Sequence, residues 1–259
     1  MSAKHIQVGQ STTTPVTQTQ RKRVDVKVYV DNKGWVQNAG FVLRAVPELE
    51  KGSMTGPKAI VLHRTSGDSV ESALASAKRG EGTHFYVDKD GTVYQAASLL
   101  KKTHHVGRIK SKCFADGSCP ADEMRLIRSW GFAPGRIYSH EKAKAYPARY
   151  PMNEDSVGIE TVASCLTNCQ PNEPDNVTWD APTPEQSAAI STVVGILKRH
   201  YGLGDADIYE HDKVSYKKGG EGAGLYSADS DSSRGFPPSF DQALPGHETL
   251  SQNPNRGGT

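Results

Sequence analysis

The chain has 259 residues, 36% of them hydrophobic, a formal net charge of +2 and a sequence pI near 8.3. That composition supports one sizeable core with polar ends, is too mildly basic to point to nucleic acid, and contains no run approaching the roughly 18 apolar residues of a membrane span. Residues 1–22, rich in Ser, Thr and Gln and without an apolar h-region, read as a disordered arm with no secretory signal peptide. Residues 23–57 read as an N-terminal extension, in which the strict alternation from Val24 to Val30 predicts a half-exposed edge strand and Asp31-Asn32-Lys33-Gly34 turns the chain toward Trp35-Val36.

Ala59-Ile60-Val61-Leu62-His63-Arg64-Thr65 reads as a buried strand with a histidine at its end, where a sheet holds the backbone still while a side chain reaches a cleft. A turn at 65–68 leads to a helix over about 69–79, with Asp68 as its cap, Val70, Leu74 and Ala77 on one face and Gly80 as its stop. Thr83 to Val87 and Thr92 to Gln95, joined by Asp88-Lys89-Asp90-Gly91, predict a β-hairpin. The segment from about 108 to 152 reads as an insertion on a loop, with helical spacing around Met124, Ile127 and Arg128. Ser156 to Val162 predicts a strand whose alternation sets Glu160 on the face away from Ile159. After a connection over about 166–182, the capping box Thr183-Pro184-Glu185-Gln186 opens a helix over 184–201, with Ile190, Val193, Val194, Leu197 and Tyr201 in step and Gly202 ending it. Ile208 to His211 predicts a last short strand, again ending on histidine, and residues 227–259 read as a tail.

Four cysteines fall in two close pairs, Cys113 with Cys119 and Cys165 with Cys169. Their spacings do not make a zinc knuckle, and local disulfides and free thiols both remain open. Two strand-end histidines, His63 and His211, and a carboxylate ten positions after the second, Glu221, supply a donor set that leaves one tetrahedral position of Zn²⁺ open for water.

Ile60-Val61-Leu62-His63, Thr83 to Gln95, His105-Val106-Gly107, Asn153 to Glu160 and His211 to Gly224 occur in an order that resembles the zinc-dependent N-acetylmuramoyl-L-alanine amidases of the amidase-2 type, relatives of the peptidoglycan recognition proteins. The resemblance covers about 58–226 and implies an α/β fold, a central mixed β-sheet flanked by helices, with the cysteine-containing insertion outside the match. It implies a zinc hydrolase that cleaves the amide between N-acetylmuramic acid and L-alanine in bacterial peptidoglycan. His63 and His211 match the family's histidine ligands, and Glu221 falls at the spacing of its aspartate, one methylene longer. Gly219 stands where other members carry a cysteine ligand, and Thr83 stands where some phage members carry a catalytic tyrosine. Glu160 matches the catalytic glutamate; Lys218, displaced by one position, is assigned as the oxyanion-stabilising lysine. His105 and His84 are assigned to substrate binding, His105 as a residue lining the groove, and His104, His140 and His200 are taken as structural or surface residues. A non-catalytic peptidoglycan-binding module of the same fold, a hydrolase of some other amide, a phage endolysin and a cell-wall recycling enzyme are the rival readings. Without a signal peptide, the chain is expected to be made in the cytoplasm and to reach the wall by a non-classical route, as an antibacterial effector with a cognate immunity protein.

Overall fold

The structure, a computed structural model, describes residues 27–169 and 177–228; the arm expected over 1–22 and the tail beyond 228 lie outside the described residues. In chain order, β1 (Tyr29–Val30) and β2 (Val36–Gln37) pair antiparallel, β3 (Val42–Leu43) follows, and the buried run is β4 (Ala59–Arg64). Then come α1 (Val70–Ala77), the hairpin strands β5 (Phe85–Val87) and β6 (Val93–Gln95), and three helices, α2 (Lys112–Asp116), α3 (Ala121–Trp130) and α4 (Pro134–Lys142). β7 (Ser156–Thr161), an antiparallel ribbon of β8 (Cys165–Thr167) and β9 (Thr178–Trp179), α5 (Pro184–Tyr201), β10 (Ile208–Glu210) and the single turn α6 (His211–Val214) complete the described chain.

The central sheet has six strands in the order β10-β4-β7-β5-β6-β3 and is mixed: β5 and β6 form the expected antiparallel hairpin, and the other neighbours run parallel. Because β4 is buried along its whole length, both its faces must be covered, which is why it reads as an unbroken apolar run. On one face Ile60, Leu62, Phe85 and Ile159 pack against Ile190, Val193, Val194 and Leu197 of α5. Each such side chain contributes about 1.5–3 kcal/mol by leaving water. On the other face Tyr86 and Val162 meet Val70, Leu74 and Ala77 of α1, the stripe expected from spacing three and four.

α5 keeps its expected bounds because its ends are chemically marked. Thr183 and Gln186 form the reciprocal capping box, and Gly202 closes the helix at φ +70°. α1 is capped one residue later than expected: the Ser69 hydroxyl, not Asp68, accepts from the Ser72 amide. β1 joins only β2 rather than the edge of the central sheet, whose edge is β3, with Val42 and Leu43 largely exposed.

The insertion is helical rather than an extended loop. Val106, Ile109, Met152 and Val214, with Tyr138, Tyr150 and Tyr209 against them, give it a small core. The Lys144 ammonium joins Glu123 of α3 to Glu141 of α4 at 2.6 Å each, so the carboxylates grouped with His140 are already bridged by a cation of the chain itself. Disulfides close Cys113–Cys119 and Cys165–Cys169. No described helix is long and apolar enough to cross a membrane.

Candidate active site

Parallel strands end together, so the residues at their C-terminal ends share one edge of the sheet, where ligands of open α/β sheets bind. Here the register sets His63 of β4 directly opposite Glu160 of β7, and Glu160 opposite Tyr86 of β5. On the far side of β4, Glu210 pairs with Leu62, so the next residue, His211, emerges beside His63; their ring centroids are 4.0 Å apart. A cleft of about 400 Å³ opens over these ends, lined among others by His63, His105, Glu160, His211, Lys217 and Glu221.

The loop after His211 folds back over the histidines and is tied down at four points. Both carboxylate oxygens of Asp212 accept from it, from the Gly220 amide at 3.0 Å and the Gly222 amide at 3.2 Å. The Arg64 guanidinium donates to the Gly220 carbonyl at 2.6 Å, and the Trp179 indole N–H donates to the Gly219 carbonyl at 2.9 Å. Gly222 lies so close to the end of β10 that a Cβ there would stand 2.6 Å from both the Glu210 Cα and the Leu62 carbonyl oxygen. Held in this way, Glu221 brings Oε1 to 2.7 Å from His211 Nδ1 and 3.9 Å from His63 Nδ1. The longer carboxylate therefore reaches both histidines, because the loop that carries it is drawn in by Asp212.

His211 Nε2 faces the Val106 carbonyl at 2.9 Å, and a carbonyl only accepts, so Nε2 carries a hydrogen and Nδ1 is the ring nitrogen left facing Glu221, where a bound cation would take the place of the 2.7 Å hydrogen bond. His63, His211 and Glu221 each offer one donor atom within 4.8 Å of the others, all three buried or half-buried. Converging nitrogen and oxygen lone pairs of two imidazoles and a carboxylate suit Zn²⁺, so the residues present fit the metal that the sequence pattern implies.

Charges in the cleft are displaced from their ordinary ranges. Burial, reinforced by neighbouring His211, pushes the His63 imidazole down to about 3, so it is neutral and able to act as a ligand at neutral pH. Burial alone would raise the Glu221 carboxyl, but its contacts with His211 and His63 outweigh this and hold it below the usual carboxylate range. Glu160 moves the other way: burial and, second, the negative charge of Glu221 push it up to about 8, against the opposing pull of Lys217. Two carboxylates in one cleft are thus driven apart, one permanently ionised and one poised to exchange a proton near neutrality.

The cleft brings together His63, Glu160, His211, Glu221 and Lys218. It does not include His84, which is fully buried: its Nδ1 accepts from the Gly158 amide at 3.2 Å and its Nε2 donates to the Lys101 carbonyl at 2.9 Å, so it staples β5 to its neighbours and has no nitrogen left for substrate. His105 lines the cleft but is only 6% exposed, and its ring is engaged with His63 and Ser156 rather than open to a ligand. His104, read from sequence as a structural or surface residue, is exposed and lines the cleft. Lys217 lines the cleft beside Lys218, and its charge acts on His63, Glu160 and Glu221. Asp212, the loop anchor, was also not singled out by the sequence, although its place directly after His211 was a usable signal.

Residues 53–222 match the Amidase_2 family, described as N-acetylmuramoyl-L-alanine amidase. No curated protein sequence matches the chain. Among solved structures it is similar to the N-acetylmuramoyl-L-alanine amidase LysC from Clostridium intestinale URNW, at 16% identity and TM-score 0.36, covering 66% of this chain and 83% of that one. It is also similar to a selenomethionine derivative of AmpD, at 14% identity and TM-score 0.45, covering 78% and 96%. The amidase AmiD from E. coli, in complex with anhydro-N-acetylmuramic acid-L-Ala-D-gamma-Glu-L-Lys, is 13% identical with TM-score 0.42, covering 72% and 57%. The family assignment rests on the match over 53–222, which spans more than half of the chain.

Proposed function

The chain belongs to the Amidase_2 family of N-acetylmuramoyl-L-alanine amidases, and from that premise we propose that it is a zinc-dependent hydrolase of the amide joining N-acetylmuramic acid to the L-alanine of the peptidoglycan stem. The observation that carries the reading is the convergence of His63 Nδ1, His211 Nδ1 and Glu221 Oε1 beside Glu160, at the ends of adjacent parallel strands. His63, His211 and Glu221 would hold the ion, which when bound supplies Lewis acidity toward the amide carbonyl and toward water.

The protein's own groups divide the remaining work. Glu160, raised toward neutrality and set opposite His63, takes the proton of the attacking water and returns it to the leaving alanine nitrogen. Lys217, whose positive charge bears on both carboxylates, is the candidate to stabilise the developing oxyanion, the role that the family resemblance assigned to Lys218. Digestion of purified peptidoglycan tests this: mass spectrometry should find released stem peptides with a free L-alanine amine. Shortened glycan chains, or cuts within the stem, would overturn it.

The work site proposed is the wall or periplasm of a bacterium, reached by a non-classical route, with the protein acting as an antibacterial effector and neutralised by an immunity partner. Two closed disulfides support an oxidising workplace. Expression with an added export signal should lyse cells, and cytoplasmic expression should not; equal tolerance of both would refute the reading.

A further inference from the structure

Both histidines of the cluster are backed by one dipeptide, His105-Val106. The Val106 carbonyl accepts from His211 Nε2 at 2.9 Å, and His105 Nδ1 stands 3.1 Å from His63 Nε2. The dipeptide is itself pinned by Asn153, whose side-chain oxygen accepts from the His105 amide at 3.1 Å and the Val106 amide at 2.9 Å. Against β7 the His105 ring fits because residue 158 is glycine: a Cβ there would stand 2.9 Å from His105 Nδ1 and 3.0 Å from its Cγ.

The direction of the His63–His105 bond can be worked out from its far end. The Ser156 hydroxyl donates to the Met152 carbonyl at 2.7 Å, so its hydrogen is committed and its oxygen can only accept from His105. His105 Nε2 faces that oxygen at 3.2 Å and the Ser156 carbonyl at 3.4 Å, two acceptors. Nε2 of His105 therefore carries the hydrogen, and in a neutral ring Nδ1 is left as a lone pair. That lone pair accepts from His63 Nε2, so the hydrogen of His63 is on Nε2 and its Nδ1 lone pair points toward Glu221 and His211.

We propose that His105 is a positioning residue, not a substrate contact: a fixed run of hydrogen bonds from Met152 through Ser156 and His105 locks His63 in the tautomer that offers Nδ1 to the metal. Val106 does the same for His211 through its carbonyl, so one dipeptide anchored by Asn153 aims both imidazoles. Partners that orient a ligating imidazole typically change metal affinity 10- to 100-fold when lost. This rests on the reading of His63 as a ligand, and the two fail separately: loss of that reading shows as wild-type protein that binds no zinc, loss of this one as a wrong tautomer.

Long-range ¹H–¹⁵N correlation spectra of histidine-labelled metal-free protein read the tautomer directly. His63 and His105 should both be protonated on Nε2 only, and His105→Ala should leave His63 as a mixture of the two neutral tautomers. Competition with a chelator should show zinc held about 10- to 100-fold more weakly by His105→Ala. His105→Asn, whose side-chain oxygen can take the place of Nδ1 as acceptor, should recover most of the loss. Wild-type His63 protonated on Nδ1 would overturn the proposal without recourse to any variant; so would a folded His105→Ala that binds zinc within about twofold of wild type, or His105→Asn no better than His105→Ala.

Discussion

Replacing Glu160 by glutamine should make the metal-free protein more stable as pH rises. An unfolded glutamate ionises near 4.5, whereas burial and the charge of Glu221 hold the folded group protonated up to about 8. Between those values the native state keeps a proton that the unfolded state has released, so stability falls with rising pH by up to 1.36 kcal/mol per unit, flattening above about 8. Across the whole window this amounts to at most about 5 kcal/mol, reduced by the water that still reaches this half-buried side chain. Glutamine is neutral throughout and escapes the effect. Urea denaturation in the presence of chelator should therefore give a gap between the variant and wild type that is small at pH 5 and widens in the variant's favour to about 2 kcal/mol or more at pH 8.5. Parallel stability curves over that range would refute the reading of Glu160 as a carboxyl raised by its place in the cleft.

The same substitution should lower kcat by about 10²–10⁴-fold while the metal content is unchanged, measured by turnover on peptidoglycan alongside elemental analysis. Lys217→Met should cost about 10²-fold in kcat and Lys218→Met no more than about threefold, a comparison that assays of the two variants side by side decide. In Gly222→Ala the new Cβ would stand 2.6 Å from the Glu210 Cα and the Leu62 carbonyl oxygen and 2.7 Å from the His211 amide nitrogen, so the loop must lift; zinc affinity by chelator competition should fall at least about 10-fold, with a stability loss of about 1–3 kcal/mol in thermal melts.

Local signals in the sequence were enough for α5, the β5–β6 hairpin, β4 and β7, because each carries its own period and its own punctuation, such as Thr183 and Gly202 at the two ends of α5. Strand-end position marked His63 and His211 for the same reason. What sequence could not give was the relation between elements remote in the chain. His63 opposite Glu160 is a parallel pairing between residues almost a hundred positions apart, and only the family pattern joined them beforehand. Lys217 and Lys218 are neighbours of identical type, separable only once the loop's path is set by Asp212, Arg64 and Trp179. His84 and His105 look alike as hairpin and loop histidines, yet both are consumed by hydrogen bonds inside the sheet edge, a fact that resides in Gly158, Lys101 and Ser156 rather than in their own surroundings in sequence. β3 leaves no mark in sequence because two exposed apolar residues have no period, and the insertion's helical run is short and stops at Gly131, with α3 burying only Ile127.

The account turns on whether His63, His211 and Glu221 together hold a metal, and elemental analysis of purified protein equilibrated with zinc and then desalted measures this most directly. One zinc per chain is expected, retained in Glu160→Gln and lost in His63→Ala, His211→Ala and Glu221→Ala. A folded wild-type protein that emerges without zinc, or a Glu221→Ala variant that keeps a full complement, would contradict it.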